Sequence, residues 1–365
     1  MYNIYQSKKH TEQNRKDRSE SYFYGLRRYH NYIKRILYDT YTKNIDNLLE
    51  LAIGKNGDMN KIIDNNVKNV VGYDIDSASI EEGKRRVKQY RGRNNTKFEL
   101  YVLDLSNNII KSTIPFDVVS AQFSFHYFFK SKETFNTILE SIKLNLKPGG
   151  HFIGTMFDGK SLLNLKGPES NTIELSDENQ VRFRLKFSND ENDNDIFGNK
   201  ISVFIKDTVL DEPMDEYIVN FDSFVKLMKM NGFELVESRL FDSFYESYNN
   251  NNKLNSLQKE VSFLNRTFVF KYMRKNEPYC KKEMDYLTEC DWSYEQHKII
   301  ILYKYLKAFD NKIETSNEET KEKLLYIKSN FVNPKQILDQ VSVSDDIKNY
   351  YKYIYEMYLT EINKV

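Results

Sequence analysis

The sequence predicts an α/β fold, a doubly wound parallel sheet over residues 1–275 with a helical extension over residues 276–365. Three observations lead there. Four apolar runs, at 48–53, 70–73, 98–103 and 116–121, have the length and spacing of strands in a βαβ series. Helical stretches separate the first two and the second two. A further run, 151–156, resumes after Lys147-Pro148-Gly149-Gly150, which stops a helix marked by Phe135, Leu139, Ile142 and Leu146. Strands alternating with helices of this length imply a parallel sheet with right-handed crossovers.

Ser77 is the expected N-cap of the helix after the second strand, whose face runs through Ile80 and Val87 to Tyr90. Beyond residue 156 the pattern changes. Residues 186–198 read as a polar loop between two hairpin strands, 221–232 as a helix, and 265–272 as a final strand. From 276 onward the composition turns helical and rich in Lys and Tyr, with helix starts at Asn333-Pro334 and Ser344-Asp345-Asp346. Ile347, Tyr351, Ile354, Tyr358 and Ile362 form an amphipathic stripe there, which must pack on this chain or on another protein.

The 365 residues allow one full core with a substantial addition, or two domains, and 40% hydrophobic with 29% charged residues is a soluble, globular balance. With 27 Tyr and 24 Phe, an aromatic residue alone marks nothing. The two cysteines, Cys280 and Cys290, make neither a disulfide framework nor a zinc set, and the five histidines are scattered, so no metal is expected. No apolar run is long enough to span a bilayer and the amino terminus lacks a signal peptide's apolar centre. An intracellular protein without a membrane partner is expected. A net charge of +1 excludes a general nucleic-acid binder, but the distribution is uneven. The segment Lys84-Arg85-Arg86-Val87-Lys88-Gln89-Tyr90-Arg91-Gly92-Arg93 has six bases and no acid.

The chemistry gathers at the strand ends. The first strand ends in Glu50 and runs into the turn Ala52-Ile53-Gly54-Lys55-Asn56-Gly57-Asp58. A small-residue turn here lets a nucleotide approach the backbone at the carboxyl edge of the sheet. The turn lacks the Gly-x-Gly-x-x-Gly of dinucleotide sites. A carboxylate at its mouth repels phosphate but suits a cationic ammonium, which favours S-adenosylmethionine over NAD. The second strand ends in Asp74, suited to two ribose hydroxyls, and the third in Asp104, suited to an adenine amino group.

The fourth strand runs into Gln122-Phe123-Ser124-Phe125-His126-Tyr127, and here the chain resembles the eukaryotic and large-virus mRNA cap guanine-N7 methyltransferases, which carry Gln-Phe-x-x-His-Tyr. Further matches are Arg18-Ser19-Glu20-Ser21 through Lys34, Phe197-Gly198-Asn199-Lys200, Asp215-Glu216-Tyr217-Ile218-Val219, and Leu264-Asn265-Arg266. The resemblance covers about residues 10–273 and implies a Rossmann-like class I methyltransferase sheet with an antiparallel final strand and a cap-binding insertion. It implies donor contacts from Lys34, Glu50, Ala52, Asp74, Asp104, Gln122, Ser124 and Tyr127. Cap contacts fall to His30, Asn31, Lys55, Lys61, Arg86, His126, Glu216 and Asn265, with His126 and Glu216 the catalytic positions.

Four positions depart from the family pattern. Glu50 stands where Asp is usual, Asn56 where Gly is usual, His30 where the first Asn of an Asn-Asn pair is usual, and Asn265 where cellular members have a Tyr. The longer Glu50 carboxylate must shift or retract. The resemblance implies capped RNA as partner, and residues 276–365 are a candidate docking segment for other capping components. Asn, Lys and Tyr richness leans toward a virus, with a virus factory, virion or host cytoplasm as location; a cellular member belongs in the nucleus. The rival from another class is a catalytically inactive methyltransferase-like subunit that stimulates a partner.

Overall fold

The computed structural model describes residues 21–92, 95–166, 170–188, 196–206, 208, 212–248 and 253–273. The expectations for Arg18-Ser19-Glu20, for the 276–365 extension and for its apolar stripe lie outside the described residues.

Helix α1 (Tyr24–Tyr41) precedes the alternating series β1 (Asn47–Leu51), α2 (Met59–Asp64), β2 (Asn69–Asp74), α3 (Ser77–Gln89), β3 (Lys97–Val102) and β4 (Phe116–Gln122). A 3-10 turn (Phe125–Lys130) leads into α4 (Lys132–Asn145), β5 (Leu146–Phe157) and α5 (Gly159–Leu165). Strands β6 (Thr172–Asp177), β7 (Gln180–Phe187), β8 (Lys200–Ile205) and β9 (Met214–Tyr217) follow. The chain then returns through α6 (Phe221–Met230), β10 (Phe233–Leu240), α7 (Ser256–Ser262) and β11 (Asn265–Tyr272).

The main sheet has the order β3-β2-β1-β4-β5-β11-β10. Neighbours from β3 to β5 pair in parallel, whereas β11 is antiparallel to both β5 and β10. This is the expected doubly wound sheet with its antiparallel final strand. Strand order reverses between β1 and β4, and such a switch point opens a crevice at the carboxyl ends of the strands.

Both faces of the sheet are buried, and the period of two along each strand sorts the residues between them. Leu49, Leu51, Val119, Ala121, Phe152, Phe268 and Phe270 pack with α4 and α6 on one face. Leu48, Val118, Ile153 and Val269 pack with Leu37 and Tyr38 of α1 and Ile62 of α2 on the other. Glu50, two residues beyond Leu48, therefore falls on the α1 face. Helix α1 presents Leu26, Tyr29, Ile33, Leu37 and Tyr38 inward at helical spacing. Where β5 meets β4 and β11, a Cβ on Gly154 would come within 2.4 Å of the Ala121 carbonyl and 2.3 Å of the Phe268 ring. Only glycine allows that approach.

The second sheet, β6-β7-β8-β9, is antiparallel throughout and is the expected insertion. Its inner residues Phe183, Leu185, Ile201 and Val203 pack with Phe23, Leu26 and Val261.

Two local expectations are corrected. No helix joins β3 to β4. Asp104-Leu105-Ser106-Asn107-Asn108 closes on itself instead, the Asp104 carbonyl accepting from the amides of Asn107 and Asn108, because Asp, Ser and Asn favour such turns over helix. The N-cap of α3 is Asp76 rather than Ser77; its carboxylate accepts from the amides of Ala78 and Ser79.

Candidate active site

The turn after β1 is built from alternate left-handed residues, Ala52 (φ 52°), Gly54 (φ 55°) and Asn56 (φ 54°). Gly54 adopts this at no steric cost, whereas Ala52 and Asn56 each carry roughly 1 kcal/mol of strain. Asp74 holds the turn in place. One of its carboxylate oxygens accepts from the Gly54 amide at 2.7 Å and the other from the Asp76 amide at 2.9 Å. Nothing lies within 4 Å of the position a Cβ on Gly54 or Gly57 would take, so the backbone is open to close approach.

The other donor-side residues fall on neighbouring strand ends. Asp104 accepts from the Ser106 amide and the Asn107 side chain at 2.9 and 2.7 Å. Gln122 donates to Ser120 and accepts from Thr155, both at 3.1 Å. Ser124 is buried and its hydroxyl has no hydrogen-bond partner. Glu50 is also buried, and the Tyr38 hydroxyl donates to it at 2.8 Å. Burial pushes the Glu50 carboxyl up to about 8, with Tyr38 and Ser120 opposing the rise and the charge of Asp58 adding to it. The Glu50 carboxyl lies on the sheet face covered by α1.

These groups suit S-adenosylmethionine. Open backbone at the turn and carboxylates on three successive strand ends offer the acceptors that an ammonium, a ribose and an adenine require. The unpartnered Ser124 hydroxyl adds a polar atom that lacks any other use.

Lys34 and Lys61 do not stand free. Asp58 takes Lys34 at 2.8 Å on one oxygen and Lys61 at 2.6 Å on the other. Lys61 also donates to the Asn31 side-chain oxygen at 2.8 Å. Burial opposes ionisation of Asp58, but the two ammoniums together hold its carboxyl below the usual range. Lys61, expected on a cap phosphate, is 6% exposed and is bonded to Asn31 and Asp58. Asn31, which also donates to the Arg27 carbonyl, is exposed.

Two of the residues expected on the cap side, His126 and Glu216, meet beyond the end of β4. His126 lies in the 3-10 turn and Glu216 on β9; their Nε2 and Oε2 atoms are 3.2 Å apart, with both side chains 4% exposed. That contact lacks hydrogen-bond geometry, and neither His126 nitrogen nor Glu216 Oε2 has a hydrogen-bond partner. Tyr127, expected on the donor side, reaches Glu216 Oε1 at 3.4 Å.

Three other expected cap residues are engaged elsewhere. Asn265 is 2% exposed and donates to the Val261 and Ser262 carbonyls, closing the end of α7. His30 contacts Ser262 Oγ at 2.9 Å and stacks on Phe123 at 5.1 Å; burial lowers its pKa to about 3, so it is neutral. Arg86 donates to Glu82 at 2.8 Å, and Lys84 and Arg85 pair with Glu81 and Glu82. Three of the six bases in the run thus pair with two acids one turn earlier, which charge counts begun at residue 84 overlook. Arg85 and Arg86 hold the Glu82 carboxyl down at about 2.

Sequence reasoning missed Asp58, Tyr38 and Phe123. Asp58 closes the donor turn, and its value shows only once Lys34 and Lys61 are seen to converge on it. Tyr38 is one helical turn after Lys34, a spacing that puts both on one face, but 27 tyrosines hide it. Phe123 holds φ 53°, a strained value for an aromatic residue at the exit of β4.

A family model described as mRNA (guanine-N(7))-methyltransferase domain matches residues 2–333, past the expected boundary at 275. The chain is similar to the mRNA cap guanine-N(7) methyltransferase of Saccharomyces cerevisiae, at 30% identity over 64% of this chain and 56% of that one. The Candida glabrata protein of the same name is 32% identical over 64% and 58%. The Arabidopsis thaliana mRNA cap guanine-N(7) methyltransferase 1 is 29% identical over 65% and 66%. The chain therefore spans somewhat more than half the length of the yeast relatives. Among solved structures it resembles the CcbJ methyltransferase of Streptomyces caelestis, with TM-score 0.47 and 14% identity over 67% of this chain and 90% of that one.

Proposed function

The chain belongs to the mRNA (guanine-N(7))-methyltransferase family, and from that premise we propose that it methylates N7 of the guanosine capping RNA 5′ ends, with S-adenosylmethionine as donor. The observation that carries this reading is the His126–Glu216 pair, buried 3.2 Å apart at the exit of β4 with open hydrogen-bonding positions on both members. Unmet buried polar atoms cost about 1–3 kcal/mol each, so a site that keeps them is shaped for a ligand. Glu216 Oε2 suits the N1–H and amino edge of guanine, and His126 offers a ring nitrogen beside it.

S-adenosylmethionine supplies an electrophilic methyl group on a sulfonium. Guanine N7 has a free lone pair, so neither His126 nor Glu216 serves as a general base. Their work is to orient the purine so that nucleophile, methyl and sulfur lie in line. A carboxylate beside the ring also favours the positive charge that the purine gains. Lys55 and Arg86 are the side chains assigned to the triphosphate bridge, with Arg86 exchanging Glu82 for phosphate. Lys61 acts indirectly, through Asn31. Specificity is for the cap rather than for RNA sequence.

Acids on three strand ends, together with His126 and Glu216 in place, argue against the inactive-subunit reading. The relatives compared are from yeasts and a plant, so a nuclear role in mRNA processing replaces the lean toward a virus. Residues 276–365 keep the proposed role of contacting other capping components. Incubation with labelled S-adenosylmethionine and GpppG-RNA tests the function. The expected product is 7-methylguanosine, on capped but not triphosphate-ended RNA. Label on a ribose hydroxyl, or none at any enzyme concentration, overturns it.

A further inference from the structure

Glu50 forms no ion pair among the described residues, and unlike Asp74 and Asp104 it accepts no backbone amide either. Its carboxyl is 4% exposed and lies on the sheet face covered by α1, where Tyr38 is fully buried. The Tyr38 hydroxyl sits between Glu50 Oε1 at 2.8 Å and Ser120 Oγ at 3.1 Å. Ser120 in turn accepts from Gln122, which is held by Thr155. A phenol, a hydroxyl and a carboxamide thus form a neutral relay from α1 across β4 to β5, ending on one carboxyl.

The charged groups that face Glu50 are Lys34 from α1 and Asp58 from the turn before α2. They form an ion pair with each other at 2.8 Å, and at Glu50 the charge of Asp58 outweighs that of Lys34, so no net countercharge is left for it. From β4 only the Ser120 hydroxyl faces it. The relay cannot supply a countercharge, because phenol, hydroxyl and carboxamide groups carry no positive charge, and burial keeps the Tyr38 phenol in its neutral, donating form, well above its ordinary pKa. Burial without a cation likewise favours the protonated carboxyl. A cation placed at the mouth of β1 reverses that preference.

We propose that Tyr38 is a positioning residue for the methyl donor: its hydroxyl aims the Glu50 carboxylate at the donor's ammonium, and Glu50 gives up a proton to solvent as that ammonium binds. This rests on the proposed donor being S-adenosylmethionine. The balance is simple. A neutral acid and an ammonium become a carboxylate–ammonium pair and one released proton, with no other reactant. Tyr38 determines where the carboxylate points, and Ser120 determines where Tyr38 points.

The test is calorimetric, on the full chain, with two probes. S-adenosylmethionine carries the ammonium; 5′-methylthioadenosine keeps the nucleoside and sulfur but lacks the amino-acid portion. Tyr38→Phe is expected to weaken S-adenosylmethionine by about ten- to hundredfold, the worth of a hydrogen bond to a charged group, and methylthioadenosine by less than about twofold. In a Glu50→Asp background, whose shorter side chain falls short of the phenol, Tyr38→Phe should add nothing. Titration near pH 7 in buffers of different ionisation enthalpy should show close to one proton released by the wild type and none by Glu50→Gln. Equal loss for both probes means a general packing defect and overturns the proposal, as does an unchanged affinity for S-adenosylmethionine or the absence of proton release. If the wild type binds neither probe, it is the proposed function that fails.

Discussion

The proposed donor edge and the proposed cap site of this molecule are built differently. On the donor edge the three aspartates are already bonded within the protein, Asp74 to the Gly54 and Asp76 amides, Asp104 to its own turn and Asp58 to two lysines, and only the Asn56 side chain and the Ser124 hydroxyl there are buried without a partner among the described residues. The end of β4 buries His126 and Glu216, a charged or chargeable pair in contact, with both His126 nitrogens and one Glu216 oxygen left unmet. The difference teaches where stability was spent. Internal hydrogen bonds fix the donor edge in shape before any ligand arrives, which lowers the ordering cost of binding. The His126–Glu216 pair holds a local penalty, which we propose a purine edge relieves.

The largest effect is expected at the keystone of the donor edge. Asp74→Ala removes the anchor of the Gly54 turn together with an acceptor for two hydroxyls, and should cost about 2–4 kcal/mol of donor affinity. Calorimetry giving an affinity within about threefold of wild type would break the comparison there.

Glu216→Gln is next and should act on the other half alone. Donor affinity stays, while turnover on capped RNA falls by about tenfold or more, because half of the acceptor becomes a donor. Unchanged turnover and cap-analogue affinity would make Glu216 a structural residue.

Glu50 also predicts a pH dependence. An unfolded Glu titrates near 4.5, and in the fold it is pushed up to about 8. The folded state therefore binds the extra proton between these values, and stability falls as pH rises through that window. Glu50→Gln should flatten this slope by on the order of a few kcal/mol between pH 5 and 8. His30 works at the other end. Its pKa, lowered to about 3 by burial, means that stability is lost as pH falls below 6.5. Chemical denaturation across pH, showing identical slopes for wild type and Glu50→Gln, would contradict the burial argument.

The smallest effect is on the charged face of α3. Glu82→Gln frees Arg86 from its partner. Cap-analogue binding should tighten by about twofold to fivefold and become more salt-sensitive, as one exposed ion pair is worth under about 1 kcal/mol. No change in the salt slope would remove Arg86 from the phosphate site.

The donor edge was legible in the sequence because its residues are local to strand ends: Glu50, Asp74 and Asp104 are each placed by a periodic run and the turn after it. The His126–Glu216 contact spans two sheets, and only the resemblance pointed to it. Side chains diverted to other partners were not legible. Asn265 caps α7 and Lys61 joins Asp58, and such choices depend on what the fold brings alongside. The missing β3–β4 helix was a failure of a different kind, where Asp104 and its Asn neighbours bonded their own turn.

Amide hydrogen exchange tests the contrast between the two halves most directly. In the ligand-free protein the Gly54 and Asp76 amides, both bonded to Asp74, should exchange slowly and change little when S-adenosylhomocysteine binds. Residues 124–130 and β9 should gain protection when GpppG is added. Fast exchange at Gly54 and Asp76 without ligand, or no added protection around His126 and Glu216 with saturating GpppG, would contradict it.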